Sequence, residues 1–260
     1  MALRGAVVDL DGTVYRGESA LPGVRQTVRR LRDRGFELLF LTNNPTRSAE
    51  AYADRLAGMG IDADPEEILP AGAVTTAYVR REYPDADVYL IGSPGLREQF
   101  EAADLPLVGD PEAADLLVTS HDYGFDYDDL AAGLWALEAG ADFLGTDPDR
   151  TYPGEDGRPY PGSGAITRAV AQVADREPDL ELGKPSEVTV RLALDRLGLP
   201  AGDCVVVGDT PETDIALGRT VGMLSVLVLT GTTGRSDLPV EPTPDHVLER
   251  FADLPDLLDE

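Results

Sequence analysis

Two rhythms of apolar and polar positions alternate along this chain. Residues 6–10 form a short, nearly continuous apolar run that reads as a buried strand. Residues 24–34 then place Val24, Val28 and Leu31 on one face of a helix, with Gly35 where a helix C-cap belongs. Residues 37–42 return to a run, Leu38-Leu39-Phe40-Leu41, that is apolar on both faces, as in a central parallel strand. This strand-helix-strand order predicts a parallel sheet with flanking helices.

The alternation continues with helices expected over 48–59, ending at Gly60, and over 71–82, broken by Tyr83-Pro84-Asp85. A second series follows, with strands at 88–91, 116–119 and 142–145 and helices at 96–103 and 130–139, which reads as a smaller α/β unit. Trp135, inside an apolar helical pattern, reads as core. Between 147 and 164 the pattern lapses into a loop whose prolines and glycines fix turns. A helix is expected over 166–175, and from Leu182 the large-sheet pattern returns: helix 187–197, strand 204–207, helix 213–219, strand 224–229 and a last helix over 247–258.

Composition narrows the partners. At 260 residues and 42% hydrophobic, the chain has enough apolar material for one large or two modest cores. Its charge, 22 − 48 = −26, would repel nucleic acid and anionic membrane surfaces, so neither is expected as a partner. Lys184 is the only lysine among the fixed cations, and an acid-rich, lysine-poor surface resembles proteins of salt-loving organisms. The single cysteine, Cys204, lies in the apolar run Cys204-Val205-Val206-Val207 and reads as a small core residue that forms no disulfide within the chain. No run approaches the roughly 18 apolar residues of a membrane span, and a cytoplasmic protein is expected.

Ligands of open parallel sheets bind beyond the carboxyl ends of the strands. Four groups of residues fall there: Asp9 with Asp11, Thr42-Asn43-Asn44, Lys184, and Gly208-Asp209-Thr210-Pro211-Glu212-Thr213-Asp214. Taken singly, Asp11-Gly12 reads equally well as a turn, Thr42 as an N-cap, and Thr210-Pro211 as a helix start. Their convergence in this order is what points to a site. Other candidates are weaker: His121, Asp147 and Asp149 read first as solvated loop residues, and Gly162-Ser163-Gly164 is an incomplete dinucleotide fingerprint with no strand before it. With two histidines and one cysteine, zinc sites and Ser-His or Cys-His catalysis lack parts.

These residues resemble the haloacid dehalogenase superfamily. Asp9-Leu10-Asp11-Gly12-Thr13 is similar to its first motif, Thr42 to its second, Lys184 to its third, and Gly208-Asp209 with Asp214 to its fourth. Tyr15-Arg16-Gly17, Leu41-Thr42-Asn43-Asn44-Pro45-Thr46-Arg47, Gly183-Lys184-Pro185 and Gly208-Asp209-Thr210 followed by Thr213-Asp214-Ile215 look like the NagD-type, p-nitrophenyl phosphatase-like subfamily. The likeness is tight over the core motifs and looser over about 77–180. One departure is Asp147 in Gly145-Thr146-Asp147-Pro148-Asp149, where relatives often carry an asparagine.

The resemblance implies a Rossmann-like core, residues 1–76 and 181–260, interrupted by an α/β cap at 77–180. It also implies a Mg²⁺-dependent phosphatase of a small phosphorylated metabolite such as a sugar phosphate, a nucleoside monophosphate or a phosphoglycolate-like acid. A homodimer, by association through the cap, is a further implication. Asp9 is then the nucleophile, since a carboxylate can accept a phosphoryl group and divide hydrolysis into two easier displacements. Mg²⁺ favours oxygen ligands, here Asp9, the Asp11 carbonyl and Asp209, with Asp214 orienting water behind them. Asp11 protonates the leaving alcohol and later deprotonates the attacking water. Lys184 supplies a compact positive charge, and Gly12, Thr42, Asn43, Asn44 and Thr210 line the phosphate position. Dehalogenation on the same fold is a rival that needs neither Asp11 nor the Asp209/Asp214 cluster. A phosphoacceptor receiver module is another, against which chain length and the inserted segment count.

Overall fold

The computed structural model describes residues 3–153 and 158–259. The chain divides into two compact units, one built from Met1–Thr42, Ala49–Leu69 and Lys184–Glu260, the other from Asn43–Ser48 and Pro70–Gly183. Each has its own sheet.

The first unit holds a six-stranded sheet in the order His246–Leu248, Leu224–Val228, Cys204–Gly208, Gly5–Asp9, Glu37–Thr42, Ile68–Pro70. The Gly5–Asp9 strand is parallel to both neighbours, with Val7 opposite Val206 on one side and Leu39 on the other. Every residue of Gly5–Asp9 and of Cys204–Gly208 is buried, which explains why these strands read as unbroken apolar runs: each face is covered. One face, carrying Ala6, Val8, Phe40, Val205, Val207 and Val226, packs with Val24, Val28, Leu31, Tyr52, Leu56 and Leu254. Those residues come from helices Val24–Asp33, Ala49–Gly58 and Leu254–Leu257. Val206 points the opposite way, and there Gly218 of helix Ala216–Val221 comes so close that a β-carbon would overlap the valine. Helix Glu187–Leu197 packs with the sheet at Glu37–Thr42. The pleat thus assigns alternate residues of one strand to two helical layers.

The second unit has a four-stranded parallel sheet in the order Leu180–Glu181, Asp142–Gly145, Leu116–Thr119, Val88–Ile91. Its core gathers Ile91, Leu117, Phe143, Ala136, Leu137, Ile166 and Val170. Helix Tyr127–Ala139 opens on a capping box, with Asp126 accepting from the backbone of Asp128 and Asp129, and closes on Gly140 at φ 107°. Helix Pro94–Ala102 is capped by Ser93, and helix Ser163–Ala174 packs against Tyr127–Ala139.

Several expectations need correction. The last segment is not one helix over 247–258: His246–Leu248 joins the sheet edge, Phe251–Asp253 is a 3-10 turn, and only Leu254–Leu257 is α-helical. Apolar positions at 248, 251, 254 and 258 satisfy a helical period, yet Val226–Val228 offers a free edge whose hydrogen bonds the 246–248 backbone takes up. The helix expected over 213–219 starts instead as a π-helical turn, Pro211–Ile215, before the α-helix Ala216–Val221. Ile68–Pro70 is a strand that the run into the next helix concealed, and a hairpin of Thr151–Pro153 with Pro159–Pro161 interrupts the expected loop over 147–164, of which residues 154–157 lie outside the described residues. Trp135 is 50% exposed, because the core side of its helix is filled by Ala132, Gly133, Ala136 and Leu137. Among the described residues no helix is long and apolar enough to cross a membrane.

Candidate active site

Three adjacent strands bring their carboxyl ends to one edge: Gly5–Asp9 between Cys204–Gly208 and Glu37–Thr42, with Asp9 opposite Leu41. The residues delivered there, Asp9, Thr42, Asp209 and Asp214, are all buried, and so is Lys184. The Lys184 ammonium donates to Asp9 Oδ1 at 2.5 Å, Asp214 Oδ1 at 2.7 Å and the Leu41 carbonyl at 3.3 Å. Three acceptors arranged about one nitrogen suit three N–H bonds on a point charge; a planar guanidinium has a different reach and shape.

Asp214 reaches this position because the chain leaves Cys204–Gly208 through a π-helical turn in which Thr210 N–H donates to Asp214 Oδ2 at 3.1 Å. Gly208 makes the approach feasible, since a β-carbon there would overlap the Asp214 carboxylate. Asp209 is gripped from a loop after the next strand: Thr232 N–H and its hydroxyl donate to Asp209 Oδ2 at 2.5 and 2.9 Å. The same hydroxyl meets Thr210 Oγ1 at 2.7 Å, and the Thr230 hydroxyl donates to the Gly12 carbonyl at 2.6 Å. Gly12 turns at φ 85°, and a β-carbon on it would lie 2.8 Å from Asp209 Oδ2. The loop from Thr230 to Thr232 therefore fastens two acidic turns, and sequence reading missed it. The Thr-Gly-Thr-Thr run just past a strand end was its available signal.

Three carboxylates, Asp9, Asp209 and Asp214, each offer an oxygen within 4.8 Å of the others. Against the one ammonium their formal charge is 1 − 3 = −2. The excess shows in the acidities. Burial pushes the Asp9 carboxyl well above the usual carboxylate range, with Lys184 opposing and Asp214 and Asp209 adding to the rise. Burial and Asp214 push Asp209 up to about 6. Lys184 stays protonated: burial lowers its affinity for the proton, but Asp214 and Asp9 outweigh that. Asp9 Oδ2 is buried and, among the described residues, meets no hydrogen-bond donor. An orphaned carboxylate oxygen beside two more carboxylates, all hard oxygen donors, fits a divalent cation such as Mg²⁺. The Asp11 side chain is not in this trio; its Oδ2 accepts from the Tyr15 hydroxyl at 2.9 Å.

The remaining candidates have distinct surroundings. Asn43 and Asn44 fall in the second unit, where Asn43 Nδ2 donates to Asp149 Oδ1 at 3.1 Å and Asn44 Oδ1 accepts from the Thr46 N–H and hydroxyl. His121 and Asp147, expected as solvated, are buried. The His121 ring packs edge-on against Tyr123 and Tyr152, while Asp147 accepts from the Thr146 hydroxyl and the Asp149 N–H.

A doubly covered parallel sheet whose strand ends converge on buried carboxylates defines a Rossmann-like α/β protein with an acidic centre. More narrowly, this chain belongs to the haloacid dehalogenase-like hydrolase family, which residues 6–106 match, while residues 181–254 match the related HAD-hydrolase-like family. It is 35% identical to the sugar-phosphatase AraL of Bacillus subtilis over 98% of this chain and 93% of the relative. Among solved structures it resembles a p-nitrophenyl phosphatase from Archaeoglobus fulgidus, at TM-score 0.92 and 36% identity, covering 99% of this chain and all (100%) of the other. It also resembles NagD from Escherichia coli K-12, at TM-score 0.86 and 25% identity, covering 97% and 98%.

Proposed function

We propose that this enzyme is a Mg²⁺-dependent phosphomonoester hydrolase of a small phosphorylated metabolite, first of all a sugar phosphate, working through an aspartyl-phosphate on Asp9. The observation that carries the reading is the buried carboxylate trio around the lone lysine, with one Asp9 oxygen tied to Lys184 and the other unpartnered. The sugar-phosphatase relative supports the substrate class.

In this reading an Asp9 oxygen attacks phosphorus as the bond to the leaving oxygen breaks, and that oxygen takes a proton from Asp11. Water then attacks the aspartyl-phosphate, giving its proton to Asp11 and freeing Asp9 and inorganic phosphate. Lys184 opposes the protonation that burial favours at Asp9 and offsets charge on the phosphoryl oxygens. Asp9, Asp209 and the Asp11 carbonyl would hold the ion, with Asp214 behind them. When bound, Mg²⁺ neutralises the charge that otherwise opposes the approach of a dianionic phosphate to a carboxylate. Gly12, Thr42 and Thr210, in the same unit as Asp9, are proposed phosphate contacts.

The segment 77–180 is proposed as a cap that selects the leaving group, between core segments 1–76 and 181–260. A cytoplasmic homodimer that avoids nucleic acid and membranes completes the proposal. The test is Mg²⁺-dependent phosphate release from a panel of sugar phosphates and p-nitrophenyl phosphate, with acid-quenched protein assayed for bound phosphoryl group. Asp9→Asn should lose turnover and the bound phosphoryl group together. Full activity in that variant, or in excess chelator, would overturn the assignment.

A further inference from the structure

Tyr15 is fully buried, yet it carries a hydroxyl that has to be satisfied. That hydroxyl donates to Asp11 Oδ2 at 2.9 Å. The backbone of the turn fixes the distance: Tyr15 N–H donates to the Leu10 carbonyl at 3.1 Å, and Gly12 N–H donates to the Tyr15 carbonyl at 2.9 Å. The ring is fixed as well. Arg55, from helix Ala49–Gly58, lies over it with the guanidinium carbon 4.4 Å from the ring centroid. Arg55 is itself held by the Gly17 carbonyl at 2.8 Å and Glu18 at 3.2 Å, while its buried Nε meets no hydrogen-bond acceptor among the described residues.

Resting on the reading of Asp11 as the acid and base of a phosphatase, we propose that Tyr15, clamped by Arg55, is the positioning residue for Asp11. A carboxyl that must give a proton to a leaving oxygen and then take one from water needs the same orientation twice, at two different substrates. A tyrosine on Oδ2 holds that orientation without competing for the proton. A phenol keeps its proton across the neutral range, so Tyr15 remains a donor throughout. It transfers nothing itself: the proton that reaches the leaving oxygen comes from Asp11, as the phosphorus bond to Asp9 forms and the bond to the leaving oxygen breaks.

Leaving-group dependence separates this role from a structural one. An alkoxide leaves only with a proton, whereas p-nitrophenolate leaves without one. The experiment compares kcat/KM, which reports the first phosphoryl transfer, for β-glycerol phosphate and p-nitrophenyl phosphate. Asp11→Asn serves as the reference and should lose far more with the alkyl ester. Tyr15→Phe should lose about tenfold with the alkyl ester and less than about twofold with p-nitrophenyl phosphate, part of the ~10²–10⁴-fold that general acid transfer supplies. Arg55→Met, which leaves the Tyr15 hydroxyl in place, should show the same selectivity at about threefold. Equal losses with both esters, or none, in Tyr15→Phe and Arg55→Met while Asp11→Asn remains selective would overturn the positioning role alone. An unselective Asp11→Asn would overturn the acid assignment and the Tyr15 role with it.

Discussion

Thr232 shows how much of this centre is decided by residues with no chemistry of their own. By spending its N–H and its hydroxyl on one oxygen of Asp209, it leaves that carboxylate one orientation toward the other acids. On the proposal that this centre holds Mg²⁺, removing the hydroxyl as Thr232→Val should weaken its binding about tenfold, the low end of what partners of metal ligands contribute, with Thr232→Ser restoring it. Calorimetric titration of the metal into the protein without substrate measures this; equal affinities in wild type and Thr232→Val would rule it out. Asp9, Lys184, Asp209 and Asp214, which the fold gathers, were legible as a set because Asp9 and Asp209 follow apolar strand runs and all four resemble motifs of one family. Thr232 was not, since a threonine in a loop acquires meaning only when a second segment folds onto it, and Tyr15 was legible as part of a motif but not in what its hydroxyl touches. His121 and Trp135 were misread for the converse reason: local pattern does not say which side of an element its neighbours will cover.

At the level of elements, the central strands were readable because burial on both faces leaves only one kind of sequence. The chain's last segment was not, since one set of apolar spacings serves a helix, or an edge strand followed by a short helix. The end of strand Asp142–Gly145 offers a test of what burial does to a carboxyl group. Asp147, just beyond it, is 2% exposed, and burial, reinforced by Asp149, raises its carboxyl well above the ordinary 3.8. The folded protein thus holds a proton there that the unfolded chain gives up. This contribution to stability is fully present below the unfolded value and is lost as pH rises through the folded one. Asp147→Asn needs no proton, so it should raise Tm relative to wild type at about pH 8 and scarcely change it at about pH 4. A Tm difference that is the same at both ends would show that the carboxyl is ionised in the fold.

For the whole molecule, a formal charge of −26 on 260 residues sets the terms of stability. Such a surplus repels itself most where counterions are few, so raising KCl from about 0.1 M to about 2 M should raise Tm steadily, as the screening length falls from ~10 Å to a few ångströms. A flat or falling Tm would mean that the acids are already paired. Surface ion pairs run the other way: Arg30 and Arg34 bind Asp256 and Asp259, tying the chain's last helix to its first, and Arg32 binds Glu67. All of these cations are guanidinium groups, and the one side-chain amine in the protein, on Lys184, is 3% exposed. An acylating reagent selective for primary amines should therefore find no reactive side chain on the native surface. Its slow incorporation at residue 184 would act as a clock for the moments when the strand ends part, timing from outside the local openings of the acidic centre.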